Sequence, residues 1–289
     1  MQNPRKRGNV MSRIRSGWVG LLLLTLAVLS VTLGCAAFVP PGPPIDSPKL
    51  NQELCTGYLP TNELPNSLTL LPPPPAPDST AFAADQDAYR LTRVLRDTPR
   101  WELANEDAAL LAETFSCALE APIGREATPH LYELMVRSRF DAGHATGRAK
   151  VYYKRVRPFA MTGEASCTPH DEPKLIQNGS FPSGHAAIGW TWALILSEVA
   201  PDRTDALLER GYAFGQSRVI CGMHWQSDVD AGRLIAAGVF ARLHADPAFR
   251  AQVEAARVEL ADIRSKGLKP TRDCKAEAAA LAFTIPGAP

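Results

Sequence analysis

From Ala186 to Val199 almost every residue is apolar or small, and the run opens with Pro182-Ser183-Gly184-His185. Such a pattern predicts a helix from His185 to Val199 that is buried on most sides, with Ser183 at its N-cap. Other stretches carry apolar residues at helical spacing. Ser79 or Asp78 can cap a helix bearing Phe82, Ala83, Tyr89, Leu91, Val94 and Leu95, ending near Thr98-Pro99. A second runs from about Glu102 to Leu119, and a third from Pro129 to about Tyr153. Asp205 to Ile220, Trp225 to Leu243 and Pro247 to Ile263 complete the set. Few stretches alternate as strands do, and the lone Asn178-Gly179 sits in a loop. The pattern predicts one all-α domain over about residues 50–275.

The chain ends change this picture. Arg5, Lys6, Arg7, Arg13 and Arg15 precede an apolar run from Trp18 to about Leu33, followed by Gly34-Cys35-Ala36-Ala37. That is the layout of a secretory signal over residues 1–37, a little short for a permanent membrane span. Thr32-Leu33-Gly34-Cys35 also resembles a bacterial lipoprotein processing site, where Cys35 would be acylated and tether the protein; ordinary cleavage nearby is the alternative. Residues 38–77 are Pro-rich, with Leu70-Leu71-Pro72-Pro73-Pro74-Pro75-Ala76-Pro77 too dense in proline for helix. The helical domain then covers 78–275, and residues 276–289 are expected to fray as a flexible tail.

With 289 residues, 45% of them hydrophobic, the chain can bury a large core. A net charge of +1 gives no overall field toward nucleic acid, so any anion site must be local. Export permits disulfides. Beyond Cys35 stand Cys55, Cys117, Cys167, Cys221 and Cys274, an odd set, and pairing Cys55 with Cys274 would staple the domain ends. No Cys or His pair has zinc-ligand spacing, so neither metal nor cofactor is expected.

Three stretches carry unusual charge for a helical core. "KVYYKRVRP" places Lys150 and Arg157 seven apart, two helical turns, before Pro158; Lys154 and Arg155 read as solvated charges. In "PSGH", Ser183 and Gly184 stand where helix N–H groups lack acceptors, a position that suits an anion. In "SRVICGMHWQSD", Arg218 is followed by His224 and Asp228 four apart, on one face if helical, with the carboxylate fixing the imidazole tautomer. Together they supply cations and amides to hold phosphate oxygens, one imidazole to attack and one to protonate the leaving oxygen.

K-x6-R-P, P-S-G-H and S-R-x5-H-x3-D in this order resemble the signature of the phosphatidic-acid-phosphatase type 2 and vanadium-haloperoxidase superfamily. "GYLP", "SLTLLPPPPAPDSTAFAADQDAY", "TPRWELA", "NGSFPSGH" and "GQSRVICGMHWQSDVDAGR" are similar to the bacterial class A non-specific acid phosphatases, with Phe181 where a Tyr is usual and Ala186 where Thr is frequent. The resemblance implies a single helical bundle, periplasmic or secreted and often a homodimer, hydrolysing many phosphate monoesters without metal. It implies His224 as nucleophile, Asp228 orienting it, His185 as acid and base, and Lys150, Arg157, Ser183, Gly184 and Arg218 as phosphate ligands. Vanadate is expected to inhibit. The alternatives are a vanadium-dependent haloperoxidase, a membrane-associated lipid-phosphate phosphatase, and a phosphate-binding protein without catalysis.

Overall fold

The structure, a computed structural model, describes residues 56–283. Among these residues it is all-α, with no strand. The longer helices are α1 Thr80–Thr92, α2 Pro99–Glu106, α3 Pro129–Ala145, α4 Gly147–Tyr153, α5 Gly184–Val199, α6 Thr204–Ile220, α7 Gln226–Leu243, α8 Pro247–Ser265 and α9 Cys274–Leu281.

Helix α5 is the axis of the bundle, because its sequence leaves it no polar face. Ala186, Ala187, Ile188, Trp192, Ile195, Leu196 and Val199 are all buried, and α3, α6, α7 and α8 pack around it. Small residues set the spacing. A Cβ added at Gly211 of α6 would lie 2.4 Å from Ala193 Cβ, and one at Gly232 of α7 would lie 2.5 Å from Ser183 O. Helix α8 closes the bundle with Phe249, Val253, Ala256, Leu260 and Ile263 buried along one stripe. Asp246 starts it by accepting from Phe249 N–H at 2.8 Å. Each large apolar side chain buried this way contributes about 1.5–3 kcal/mol.

Several boundaries differ from those the pattern predicts. The expected helix over Glu102–Leu119 breaks after α2, with Leu110 at φ 53°. Just ahead of the break, buried Asp107 accepts from Arg210 Nη2 at 2.6 Å and from Ser217 Oγ at 2.6 Å, so α6 dictates the local backbone. The helix expected to run from Pro129 to Tyr153 is split at Thr146 into α3 and α4. Residues 276–281, expected to fray, belong to α9, whose Glu277 and Ala280 are buried. Part of the Pro-rich segment is also built into the domain: Tyr58, Leu59 and Leu71 join the main core. Asp141 of α3 accepts from Tyr58 N–H at 2.9 Å and Leu59 N–H at 3.0 Å.

Cys274 is paired with Cys117, and Cys167 with Cys221. This corrects the pairing of Cys274 with Cys55, which the positions of the two cysteines had suggested. Cys55, Cys35 and the signal-like stretch lie outside the described residues.

Candidate active site

Lys150, Arg157, Gly184, His185, Arg218 and His224 come from separate elements and line one cavity of about 430 Å3, with Ser183 and Asp228 buried beside them. Lys150 lies near the end of α4, Gly184 and His185 open α5, Arg218 lies in the last turn of α6, and His224 precedes α7.

Lys150 and Arg157 do converge, but not across a shared helix face. Helix α4 stops at Tyr153, Lys154 takes a left-handed φ of 46°, and the chain continues extended to Arg157. Lys150 Nζ donates to Gly179 O at 2.9 Å, and Arg157 Nη2 reaches the same oxygen at 3.4 Å. Arg157 Nε also donates to Leu175 O at 3.0 Å and Asn178 O at 3.1 Å. Burial, and then the nearby Arg157 charge, pushes the Lys150 ammonium down to about 7.

Ser183 caps α5, its Oγ accepting from Ala186 N–H at 3.2 Å while its own N–H donates to Asp228 O at 2.8 Å. Helix geometry leaves the first-turn N–H groups at Gly184 and His185 without intrahelical acceptors. His185 Nε2 lies 3.1 Å from Ala108 O, a carbonyl that only accepts, so the neutral ring carries its proton there. Burial, then the Arg218 charge, lowers its pKa to about 3.

His224 and Asp228 do not share a helix face either, since His224 lies just outside α7. Asp228 reaches back instead: its Oδ2 accepts from Trp225 N–H at 2.9 Å and lies 3.4 Å from His224 Nδ1. Arg157 Nη1 stands 3.1 Å from His224 Nε2. A guanidinium only donates, which makes Nε2 the acceptor and leaves the ring proton on Nδ1, toward Asp228. Burial, reinforced by Arg157, holds His224 well below the usual histidine range. For Asp228, burial raises the pKa, but the hydrogen bond to His224 and the Arg155 charge outweigh it and leave it at about 2.

Arg218 donates through Nη2 to Ala104 O, while its buried Nε has no partner among the described residues. Burial lowers its pKa to about 10.

Arg155 is not the solvated charge the sequence suggested. Its Nη1 donates to Asp228 Oδ1 at 2.5 Å and its Nη2 to Asp85 Oδ2 at 2.7 Å, with little of the side chain exposed. Ser180 Oγ, also unforeseen, donates to Asp228 Oδ2 at 2.5 Å. After the left-handed Lys154 the segment is extended, so residues 155 and 157 fall on one side and exposed Val156 on the other, an alternation that only the folded backbone reveals.

The family profile described as PAP2 superfamily matches residues 136–251, a span that contains every motif residue above. A non-specific acid phosphatase from Providencia stuartii is 45% identical over 84% of this chain and 98% of its own length. A non-specific acid phosphatase from Salmonella typhimurium is 46% identical over 68% of this chain and 81% of its own. An acid phosphatase from Zymomonas mobilis is 41% identical over 70% and 78% respectively.

Proposed function

The chain belongs to the PAP2 superfamily and is an acid phosphatase, and we propose that it hydrolyses phosphate monoesters in two steps through a phosphohistidine on His224. The observation that supports this most is the 3.1 Å approach of Arg157 Nη1 to His224 Nε2, which pairs an unprotonated nitrogen with a phosphate-binding cation.

In the first step Nε2 of His224 bonds to phosphorus and the ester oxygen departs, taking a proton from His185. Asp228 holds the Nδ1 proton and compensates the positive charge that grows on the ring. Lys150, Arg157 and Arg218, with the Gly184 amide and the Ser183 hydroxyl, hold the three equatorial oxygens as charge spreads over them. In the second step His185 takes a proton from water, water oxygen bonds to phosphorus, and the P–N bond breaks to release phosphate and restore His224. These charges come from side chains, so EDTA should leave turnover unchanged, and broad specificity follows from gripping the phosphoryl group rather than the alcohol. Vanadate, which takes up a five-coordinate geometry, should inhibit competitively; halide oxidation with vanadate and peroxide would favour the haloperoxidase alternative instead.

The proposal extends to location. The charged, apolar and small-residue order of residues 1–37 supports export to the periplasm, with Cys35 available for a lipid tether. Among the described residues no helix is long and apolar enough to cross a membrane. A homodimer is the expected assembly, to be measured by sedimentation.

Rapid acid-free quenching of the enzyme with a radiolabelled monoester tests the mechanism. Label should stay on the protein, be lost on acid treatment, and be absent from His224→Ala. Turnover by His224→Ala equal to that of the parent would overturn the assignment.

A further inference from the structure

The cavity has a wall that the phosphoryl chemistry does not use. Residues 167–171 are fastened to the segment after α6 by the Cys167–Cys221 disulfide and by Cys167 N–H donating to Cys221 O at 3.0 Å. Thr168 and Asp171 from this segment line the same cavity as His185, Arg218 and His224. Thr168 is only 3% exposed, and its Oγ1 is buried with no partner among the described residues. A buried hydroxyl left unpaired costs about 1–3 kcal/mol, and this one belongs to a residue that lines the cavity, where a ligand hydroxyl can supply the missing partner. Asp171 closes the turn through its N–H to Thr168 O at 3.0 Å, and its charge is felt at Arg218. Its carboxylate also stands 3.7 Å from His170 Nε2.

An anionic side chain cannot be a ligand of the phosphoryl dianion, yet it is well suited to accept from hydroxyl groups. We propose that Thr168 and Asp171 form the leaving-group subsite, hydrogen-bonding the hydroxyls of polyol and sugar esters and disfavouring esters that carry a second phosphate. The proposal rests on the phosphatase reading and assigns the alcohol side of the same pocket. Thr168 can both donate and accept, while Asp171 only accepts when ionised, so together they read a hydroxylated alcohol. A second phosphate on the leaving group would meet the Asp171 charge at the cavity wall, and the like charges repel.

The test compares kcat/KM for three probes: phenyl phosphate, glucose 6-phosphate and fructose 1,6-bisphosphate. Ratios between probes do not depend on the fraction of enzyme that folds. In Thr168→Val the ratio of glucose 6-phosphate to phenyl phosphate should fall about tenfold, mostly through KM, because a polar site loses its pairing. Thr168→Ser, which keeps the hydroxyl, should restore it. In Asp171→Asn the ratio of bisphosphate to glucose 6-phosphate should rise about tenfold as the repelling charge is removed. Either ratio remaining at its parental value overturns the subsite. A parent enzyme that hydrolyses none of the three esters would instead overturn the phosphatase reading itself.

Discussion

Ionised Asp228 matters because it decides where the His224 proton resides. An amide at that position can turn its NH2 toward Nδ1 and drive the proton onto Nε2, the nitrogen that must attack. Asp228→Asn should therefore lower kcat by about 10^3-fold or more in the protein that remains folded, and also lower Tm because a buried ion pair with Arg155 is lost, as measured by steady-state kinetics beside a thermal melt. Arg155 acts one step further back, tying Asp228 to Asp85. Arg155→Met should cost about 10–100-fold in kcat, the size usual for partners that orient a reacting group. The pH profile follows from the same charges. His185, lowered to about 3 by burial and the Arg218 charge, is neutral at mildly acidic pH. A monoanionic ester meeting neutral His185 is the same protonation state as a dianion meeting the imidazolium, so the proton can arrive on the substrate. Ester monoanion disappears above its second pKa near about 6, and kcat/KM should fall as pH rises past it. Neutralisation of Lys150 above about 7 should steepen that fall. A flat profile up to alkaline pH would contradict both assignments. At this scale Lys150, Arg157, Ser183, Gly184, His185, Arg218, His224 and Asp228 were legible as an ordered motif. Arg155 and Ser180 were not, because their partners lie on elements distant in sequence.

Between elements, the decisive crossing is that of α7 over the start of α5. Gly232 lets the helices approach until its Cα faces the carbonyl of Ser183, at the turn proposed to hold phosphate. Gly232→Ala must push that turn by a contact with backbone, which does not yield as a flexible side chain would. The expected result is a destabilisation of about 1–3 kcal/mol, with KM for any ester raised; melts and kinetics on the same preparation check both. Helix existence was readable from 3.6-residue periodicity, and α5, α6 and α7 begin and end within a residue of expectation. Breaks were harder. The interruption around residues 107–110 follows Asp107, whose ion pair with Arg210 draws on a residue far along the chain. The expected face shared by His224 and Asp228 also failed, since Trp225 serves as the N-cap and Asp228 bonds back to its N–H. Periodicity describes a face but not the residue at which a helix starts.

At the scale of the whole domain, two covalent links among the described residues supplement a core that already spans α3, α5, α6, α7 and α8. The Cys117–Cys274 bridge spans 157 residues of sequence, and losing so long a closure should cost about 3–5 kcal/mol. Cys117→Ser with Cys274→Ser should then melt about 10 °C lower, while the kcat of the folded enzyme is retained, since neither cysteine lines the cavity. Calorimetry and an assay at low temperature separate the two effects. The tail was misjudged from sequence because its anchor, Cys117, is remote, and a short alanine-rich stretch offers little periodic signal of its own. The two bridges are also nested: 167 and 221 both fall between 117 and 274. A protease that cuts once anywhere inside the outer ring leaves both fragments joined. Nicked protein should migrate as one band without reductant and as two with it, and enzyme shed into a protease-rich environment can be clipped without coming apart.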